Sequence, residues 1–437
     1  MERKIKVVLL CQYWSDEMAS MVGRKHYFRE LSPWIQETLN LFKNKNDVEY
    51  HVVAPNYASN KNLDCERDCI RYHFYHYSPT WLSVITAPLV KLFIQHSETY
   101  KIAERFANTL TGFQISRKYA SQIIRRIKPD LIHLYGSENP DYAAPAICLM
   151  NEFPFLLTIQ GYAYLQTPST FFLERLYFNH RVKFERQINE FVQYLTTVSK
   201  DDTINTIKCN DVNFFFNCKA LYYVTAITKV PPIDASAFEK KYDLVYYARI
   251  DRNKGVEDLI EAVDFLKGKG RLLRTLIMGR GSDAYVSKLK ETIKEKGIDD
   301  IIDFAGFIER HEDVYNLASQ ARLMVLPTHN DGIPNTIREA MFMKLPVVAS
   351  NVGGIPSFNE KRHCIHLIQP NDLVSLSEGI CQVLDDEEYR NELIENSFQE
   401  AQETYSPDAV YNQTLSAYKD VAFRTRSQNE CNLIPSN

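Results

Sequence analysis

The sequence predicts an α/β protein made of two doubly wound parallel-sheet units, and three observations carry that prediction. Short apolar runs of strand length alternate with longer charged, amphipathic stretches over most of the chain. The alternation passes through two cycles, separated by Thr228-Lys-Val-Pro-Pro-Ile-Asp-Ala-Ser236, which has the proline content of a linker. Of the 15 glycines, 11 fall between Gly255 and Gly379. Glycine weakens regular elements but suits tight turns and close backbone approach, so the second half is expected to carry a backbone-lined pocket.

Taken in order, Ile5–Cys11 reads as a buried first strand, followed by strand-like runs at Val48–Val53, Leu131–Leu134, Phe155–Thr158 and Tyr194–Val198. Ser116–Ile127 and Phe172–Phe191 are the amphipathic helices among them. The second half is more regular. Strands at Leu244–Tyr247, Arg274–Met278, Ile301–Phe304, Leu323–Leu326 and Val347–Ala349 alternate with helices at Val256–Leu266, Val286–Lys296, Glu312–Ala318 and Thr336–Phe342. Short connections between such elements give right-handed β-α-β units and a parallel sheet. The expected organisation is residues 1–228 as a first Rossmann-like unit and 229–407 as a second. A helix at 408–423 and a polar tail at 424–437 follow.

Composition narrows the function classes. With 437 residues the chain can bury sizeable cores without staples. Lys plus Arg total 51 against 55 Asp plus Glu, a net charge of −4, which argues against nucleic-acid binding through phosphate neutralisation. Nine cysteines without a Cys-x-x-Cys pair argue against a disulfide framework or zinc ribbon, and Cys65 and Cys69 read as reduced thiols. The first apolar run is short, contains Lys6 and lacks a small-residue cleavage site, so no secretory signal is read and a cytoplasmic location is expected. Trp81–Phe93 contains Pro88 and Lys91, is too short to span a bilayer, and reads as core or groove wall rather than membrane anchor.

Three segments carry chemistry. In Asp331-Gly332-Ile333-Pro334-Asn335-Thr-Ile-Arg-Glu339-Ala-Met, a glycine turn leads into a helix from about Pro334 to Met343. Proline fits the first helical position, and the free N–H groups beside the turn make a natural anion site. Glu339 lies five residues in, roughly 7.5 Å along the axis, a separation matching a diphosphate at the helix tip and a hydroxyl pair farther along. Gly353-Gly354, after the next strand, offers a second close backbone approach. In Leu244-Val-Tyr-Tyr-Ala-Arg249-Ile-Asp-Arg-Asn-Lys254-Gly255, two cations follow a strand, at the edge where open α/β sheets bind ligands. Arg249 suits bidentate contact with a phosphate and Lys254 supplies a compact charge. Gly279-Arg-Gly281 ends another strand but lacks the third glycine of a dinucleotide fingerprint.

Together Ala-Arg-x4-Lys-Gly, Gly-x-Gly and Asp-Gly-x-Pro-Asn-x3-Glu-Ala-Met resemble the retaining nucleotide-sugar glycosyltransferases of family 4. Lys128-Pro-Asp-Leu-Ile-His133, Leu156-Leu-Thr-Ile-Gln160-Gly161 and Thr197-Val-Ser199-Lys200 agree with them. The resemblance implies the GT-B fold, two Rossmann-like domains facing a cleft, with the acceptor domain first, the donor domain second and a last helix returning to the first. It implies that Arg249 and Lys254 hold the donor diphosphate, Glu339 bonds the ribose, and Asp331 with Gly332–Asn335 faces the transferred sugar. Gly279 and Gly281 belong to the same donor set. Gly23 is the candidate for a further diphosphate contact, and His133, Gln160 and Gly161 for the acceptor or sugar side. The implied reaction transfers a sugar from a nucleotide-diphosphate sugar to a saccharide or lipid-linked saccharide, in surface polysaccharide synthesis. The nucleotide sugar is a co-substrate, and no other cofactor is implied. No Asp-x-Asp metal site occurs, so transfer without metal is expected.

Three positions depart from the family. Asp331 replaces the usual glutamate, Gln160 stands where many members carry histidine, and the glycine-rich loop after the first strand is reduced to Val22-Gly23-Arg24-Lys25. Plainer readings stand beside the functional ones. Arg249 pairs with Asp251 or Asp258, Asp331 simply forms a turn, Glu339 is a solvated helix residue, and His133 is a satisfied core histidine. Arg117, Lys118, Arg125, Arg126 and Lys128 form a solvated helix face, or else a patch for peripheral contact with anionic lipid. The rival functions are a non-catalytic nucleotide-sugar-binding protein and an epimerase or phosphorylase of the same fold.

Overall fold

A computed structural model describes residues 3–13, 33–43, 45–57, 61–91, 99–159, 163, 166, 168, 172–197, 219–224 and 231–431. These divide into two compact units. One holds the elements up to Tyr223 and the chain from Tyr411 onward; the other holds the elements up to Val410. The expected junction at 228/229 lies outside the described residues.

The first unit is an eight-stranded sheet. Its strands are β1 (Ile5–Leu10), β2 (Val48–Pro55), β3 (Leu63–Arg67), β4 (Ile70–Tyr75), β5 (Leu131–Tyr135), β6 (Phe155–Thr158), β7 (Tyr194–Thr197) and β8 (Ala220–Tyr223). Their order is β3-β4-β2-β1-β5-β6-β7-β8, parallel except for β3 against β4. Val7–Leu10 are fully buried, which explains why β1 reads as an unbroken apolar run rather than an alternating one. Among the described residues, six helices accompany the sheet before β8: α1 (Pro33–Phe42), α2 (Thr80–Lys91), α3 (Thr99–Leu110), α4 (Gln114–Ile127), α5 (Pro140–Ile147) and α6 (Phe172–Phe191).

The first two of the following features depart from the sequence reading, and the third agrees with its solvated-face alternative. The antiparallel β3–β4 hairpin has no counterpart in the sequence reading, because its turn residues, Asp68 and Cys69, lack the usual glycine although both have positive φ (52° and 64°). The charged residues Asp64, Glu66 and Arg67 then blunt the sheet edge. The Trp81–Phe93 segment is helical to Lys91, but Trp81, Val84 and Ile85 are exposed rather than core, and Phe93 is outside the described residues. The basic residues of α4 form a paired, solvated face: Arg125 meets Glu152 at 2.6 Å and Arg126 meets Asp64 at 3.2 Å. No helix among the described residues is long and apolar enough to cross a membrane.

The second unit is a six-stranded, all-parallel sheet. Its strands are β9 (Tyr242–Tyr247), β10 (Thr275–Met278), β11 (Ile302–Gly306), β12 (Ala321–Leu326), β13 (Val347–Ser350) and β14 (His366–Ile368). They lie in the order β11-β10-β9-β12-β13-β14. Its helices are α7 (Val256–Gly268), α8 (Asp283–Glu295), α9 (His311–Ala318), α10 (Asn335–Phe342), α11 (Leu373–Asp385) and α12 (Glu387–Glu400). On α7 the buried residues Val256, Leu259, Ile260, Val263 and Leu266 make one stripe at helical spacing. This is the repeating rhythm that the sequence predicts.

The last helix, α13 (Pro407–Cys431), belongs from Tyr411 onward to the first unit. Tyr418 fixes it there, its hydroxyl 2.7 Å from that of Tyr50 and 2.7 Å from His133 Nδ1. The tail expected from residue 424 is instead helical to Cys431. Arg424 continues the helix by bonding Asp420, one turn earlier, at 2.8 Å.

Candidate active site

In a doubly wound sheet, ligands bind beyond the carboxyl ends of the strands at the point where strand order reverses. In the second unit that point lies between β9 and β12. The loop after β9 carries Arg249 and Lys254, and the loop after β12 carries Asp331, so both predicted segments emerge there.

Several bonds stitch the two loops together. The Asn253 carbonyl accepts from the His329 amide and the Thr328 hydroxyl, each at 2.8 Å, while Asn253 Nδ2 donates to the Asn330 carbonyl at 2.8 Å. His329 Nε2 lies 2.5 Å from Asp258 Oδ2 at the start of α7. Gly255 has φ +68°, and a Cβ there would sit 1.8 Å from the Pro327 carbonyl oxygen, so only glycine lets the chains approach this closely. At the centre the Lys254 ammonium donates to Asp331 Oδ2, with the two side chains only 12% and 17% exposed. Residues 77 positions apart thus form one ion pair at the switch point.

Arg249 stands beside this pair in sequence but is 73% exposed, with Asp251 Oδ2 at 3.7 Å. Its backbone is fixed because the Tyr246 hydroxyl donates to the Arg249 carbonyl at 2.7 Å. The side chain is therefore a loosely held cation on an ordered turn.

Pro334 caps α10 rather than occupying its first turn, with φ −62° and ψ 129°, and no side chain caps the helix. The N–H groups of the first turn open beside Gly332 and Ile333. Tyr247, at the end of β9, donates to the Thr336 carbonyl at 2.8 Å and holds this turn against the sheet. Glu339 is 8% exposed and faces Tyr315 and Tyr247. Burial, and then its negative charge, raise both tyrosine pKa values. It is not a solvated helix residue.

Some predicted residues are used differently. A Cβ at Gly353, where φ is +53°, would lie 1.8 Å from the Asp331 carbonyl oxygen, and the Gly354 amide donates to that oxygen at 3.2 Å. This glycine pair shapes the Asp331 loop. Gly279 packs on the Ala248 carbonyl and its amide donates to the Gly306 carbonyl at 2.8 Å; Gly281 bridges to Ile250. Both hold neighbouring loops. His133 is buried, with Nε2 2.6 Å from Thr158 Oγ1 and Nδ1 on Tyr418, so neither nitrogen is open to a sugar. Burial lowers its pKa to about 3. Gly23, Gln160 and Gly161 lie outside the described residues.

Arg338 is the residue the motif passes over. It is 1% exposed, donates to Asn335 Oδ1, and places its guanidinium 5.8 Å from the Tyr405 ring centre. Burial lowers its pKa to about 10, with Tyr405 and Glu339 opposing. A buried arginine beneath a helix start orients Asn335. The spacing Asp-Gly-x-Pro-Asn-x3-Glu hides it among its unspecified positions.

Comparison with known proteins finds similar chains over this region. Residues 233–400 match the family "Glycosyl transferases group 1". The chain is 29% identical over 178 residues to the alpha-D-kanosaminyltransferase of Streptomyces kanamyceticus, covering 41% of this chain and 45% of that protein. It is 28% identical over 159 residues to the putative teichuronic acid biosynthesis glycosyltransferase TuaC of Bacillus subtilis, covering 36% and 37%. The chain thus matches less than half the length of these relatives. The crystal structure of Anabaena Alr3699/HepE in complex with UDP superposes with a TM-score of 0.59 at 13% identity, over 96% of this chain and all of that one. That likeness concerns the fold, which is of the GT-B class. Residues 233–400, within the second unit, are thus similar to the group 1 glycosyltransferases.

Proposed function

We propose that the protein is a retaining glycosyltransferase that moves a sugar from a nucleotide-diphosphate sugar to a saccharide or lipid-linked saccharide acceptor, in polysaccharide assembly. The observation that carries this reading is the Lys254–Asp331 pair at the switch point, beside the open N-terminus of α10 and with Glu339 buried farther along that helix. Cleavage of the sugar–phosphate bond builds negative charge on the leaving diphosphate. Lys254, Arg249 and the first turn of α10 stabilise it there without reorganising. An ammonium has three donors, so Lys254 keeps Asp331 on one and offers others to phosphate oxygens. Glu339 accepts from the ribose hydroxyls. Asp331 orients Lys254 and faces the transferred sugar, directly or through water. Same-face attack then lets the leaving phosphate take the acceptor proton, so no separate protein base is required. The relatives named as glycosyltransferases, and the neighbour crystallised with UDP, support the substrate class.

The test is thermal stabilisation by UDP, GDP, ADP and CMP in EDTA, for wild type and Glu339→Ala. A ligand at 100 times its dissociation constant adds about 2.7 kcal/mol of stability. A selective shift lost in the variant, with sugar transfer surviving EDTA, is expected. No shift with any nucleotide would replace this reading with a non-catalytic one, and transfer abolished by EDTA would end the metal-independent mechanism.

A further inference from the structure

The first unit has a switch point of its own, between β1 and β5. Gln12, just beyond β1, and Asn139, which caps α5 after β5, open there onto a cavity of about 390 Å³. That volume lies within the range of small-molecule sites. Its other walls come from α3 and α6, which contribute Arg105, Glu174, Tyr177 and Arg181.

Both guanidiniums rest on one aromatic ring, with carbons 5.5 Å (Arg105) and 5.9 Å (Arg181) from the centre of Tyr177. Such contacts hold a cation in place without neutralising it. Arg181 is fixed further, its Nε donating to the Glu138 carbonyl at 2.9 Å and a terminal nitrogen to Gln166 Oε1 at 3.2 Å. Among the described residues neither guanidinium is ion-paired to a carboxylate. The nearby acids Glu104, Glu138 and Asp141 are half-buried, and desolvation raises all three pKa values, that of Asp141 to about 7 with Glu104 adding to the rise. Glu174 is the acid of the lining and suits a sugar hydroxyl.

We propose that this cavity binds the phosphate or diphosphate group of an anionic saccharide acceptor, gripped between Arg105 and Arg181. The proposal rests on the glycosyltransferase reading for the acceptor's role and deepens it by naming the acceptor's chemistry. Two guanidiniums match a group carrying two negative charges, and each suits the tetrahedral oxygens of phosphate. A neutral sugar would leave two preorganised cations unmatched. The phosphate belongs either to a soluble sugar phosphate or to a lipid-linked diphosphate.

The experiment is calorimetric titration of the full chain with inorganic pyrophosphate. Wild type is compared with Arg105→Gln, with the Arg105→Gln/Arg181→Gln double variant and with Lys254→Ala. Pyrophosphate also fills the donor loop, so wild type should show two binding events. The arginine variants should weaken one event by about tenfold or more, and Lys254→Ala should weaken the other. Arg105 is exposed and its single replacement keeps the Arg181–Glu138 bond, which guards against loss of folding. Both events surviving in the arginine variants would overturn the assignment. Both surviving in Lys254→Ala would instead remove the donor reading. Glucuronate, a single carboxylate, binding the arginines as tightly as pyrophosphate would overturn the choice of phosphate. A gain over pyrophosphate for glucose 1-phosphate or for farnesyl diphosphate, lost in the double variant, supports the site and identifies the soluble or the lipid-linked source.

Discussion

Gly353→Ala tests whether the Asp331 loop belongs to the donor site. The new Cβ would lie 1.8 Å from the Asp331 carbonyl oxygen and 3.0 Å from its carbon, whereas ordinary contacts begin at 3.4 Å. Both atoms are backbone, so the two loops must separate by more than an ångström. The positive φ of +53° adds about 1–2 kcal/mol for an L side chain, and the lost Gly354 bond about 1 kcal/mol. A destabilisation of about 2–3 kcal/mol is expected. Because Asp331 carries Lys254 with it, nucleoside diphosphate affinity should fall about tenfold and turnover about a hundredfold, the scale of a 1 Å misplacement. Gly297→Ala is the control: its φ is +62° but a Cβ there meets nothing within 4 Å. It should lose only about 1–2 kcal/mol and bind nucleotide normally. Urea denaturation and nucleotide titration of both variants decide the matter. If Gly353→Ala is destabilised yet binds and turns over like wild type, the Asp331 loop is not part of the donor site.

Arg249→Ala and Lys254→Ala should each lower kcat by about a hundredfold or more, the cost of one electrostatic donor at a developing anion; near wild-type rates would withdraw the diphosphate assignment. Asp331→Glu lengthens the side chain by a methylene and should change kcat measurably; unchanged activity would mean that position 331 acts through its backbone alone. The buried His133 has a folded pKa of about 3, below its ordinary value of about 6.5, so the folded state binds fewer protons than the unfolded. It therefore removes stability as pH falls from about 6.5 toward 3, by up to about 1.4 kcal/mol per unit. His133→Gln should flatten the dependence of urea midpoints between pH 6 and 4, and an unchanged slope would show that His133 does not drive it.

Much of the fold is legible in the chain because parallel strands and their helices are local patterns. Val7–Leu10 and Leu323–Leu326 are buried on both faces and read as continuous apolar runs. The β3–β4 hairpin is not legible, since Asp68 and Cys69 adopt left-handed conformations without a glycine to announce them. Residue type and spacing single out Arg249, Lys254, Asp331 and Glu339, but not what each touches. The Lys254–Asp331 and His329–Asp258 contacts join residues 77 and 71 positions apart, and no short-range pattern encodes them. Glycine density reflects more than one role: Gly279 and Gly353 pack against neighbouring loops, while Gly270 and Gly297 end helices in open space. Arg105 and Arg181 are ordinary cations on long helices until Tyr177 brings them together.

The replacement of the family's glutamate by Asp331 takes on a meaning from this geometry. A cation awaiting a diphosphate inside a largely enclosed loop carries a desolvation cost that grows with burial, and an adjacent carboxylate offsets it. Lys254 is only 12% exposed, so it needs such a partner more than Arg249 does at 73%. A carboxylate that fully neutralised the lysine would also repel the incoming phosphates. A short side chain on a loop fixed by Asn253, Gly353 and Gly354 keeps that charge on Lys254. On this argument Asp331→Asn should raise nucleoside diphosphate affinity, because a negative charge near the ligand disappears. At an effective dielectric of about 20 and a separation of about 8 Å the gain is about 2 kcal/mol, some thirtyfold before solvent screening. It should also lower stability, because Lys254 loses its counter-charge. Tighter nucleotide binding in a less stable protein is the expected signature. Weaker binding would mean that Asp331 positions the lysine more than it opposes the phosphate.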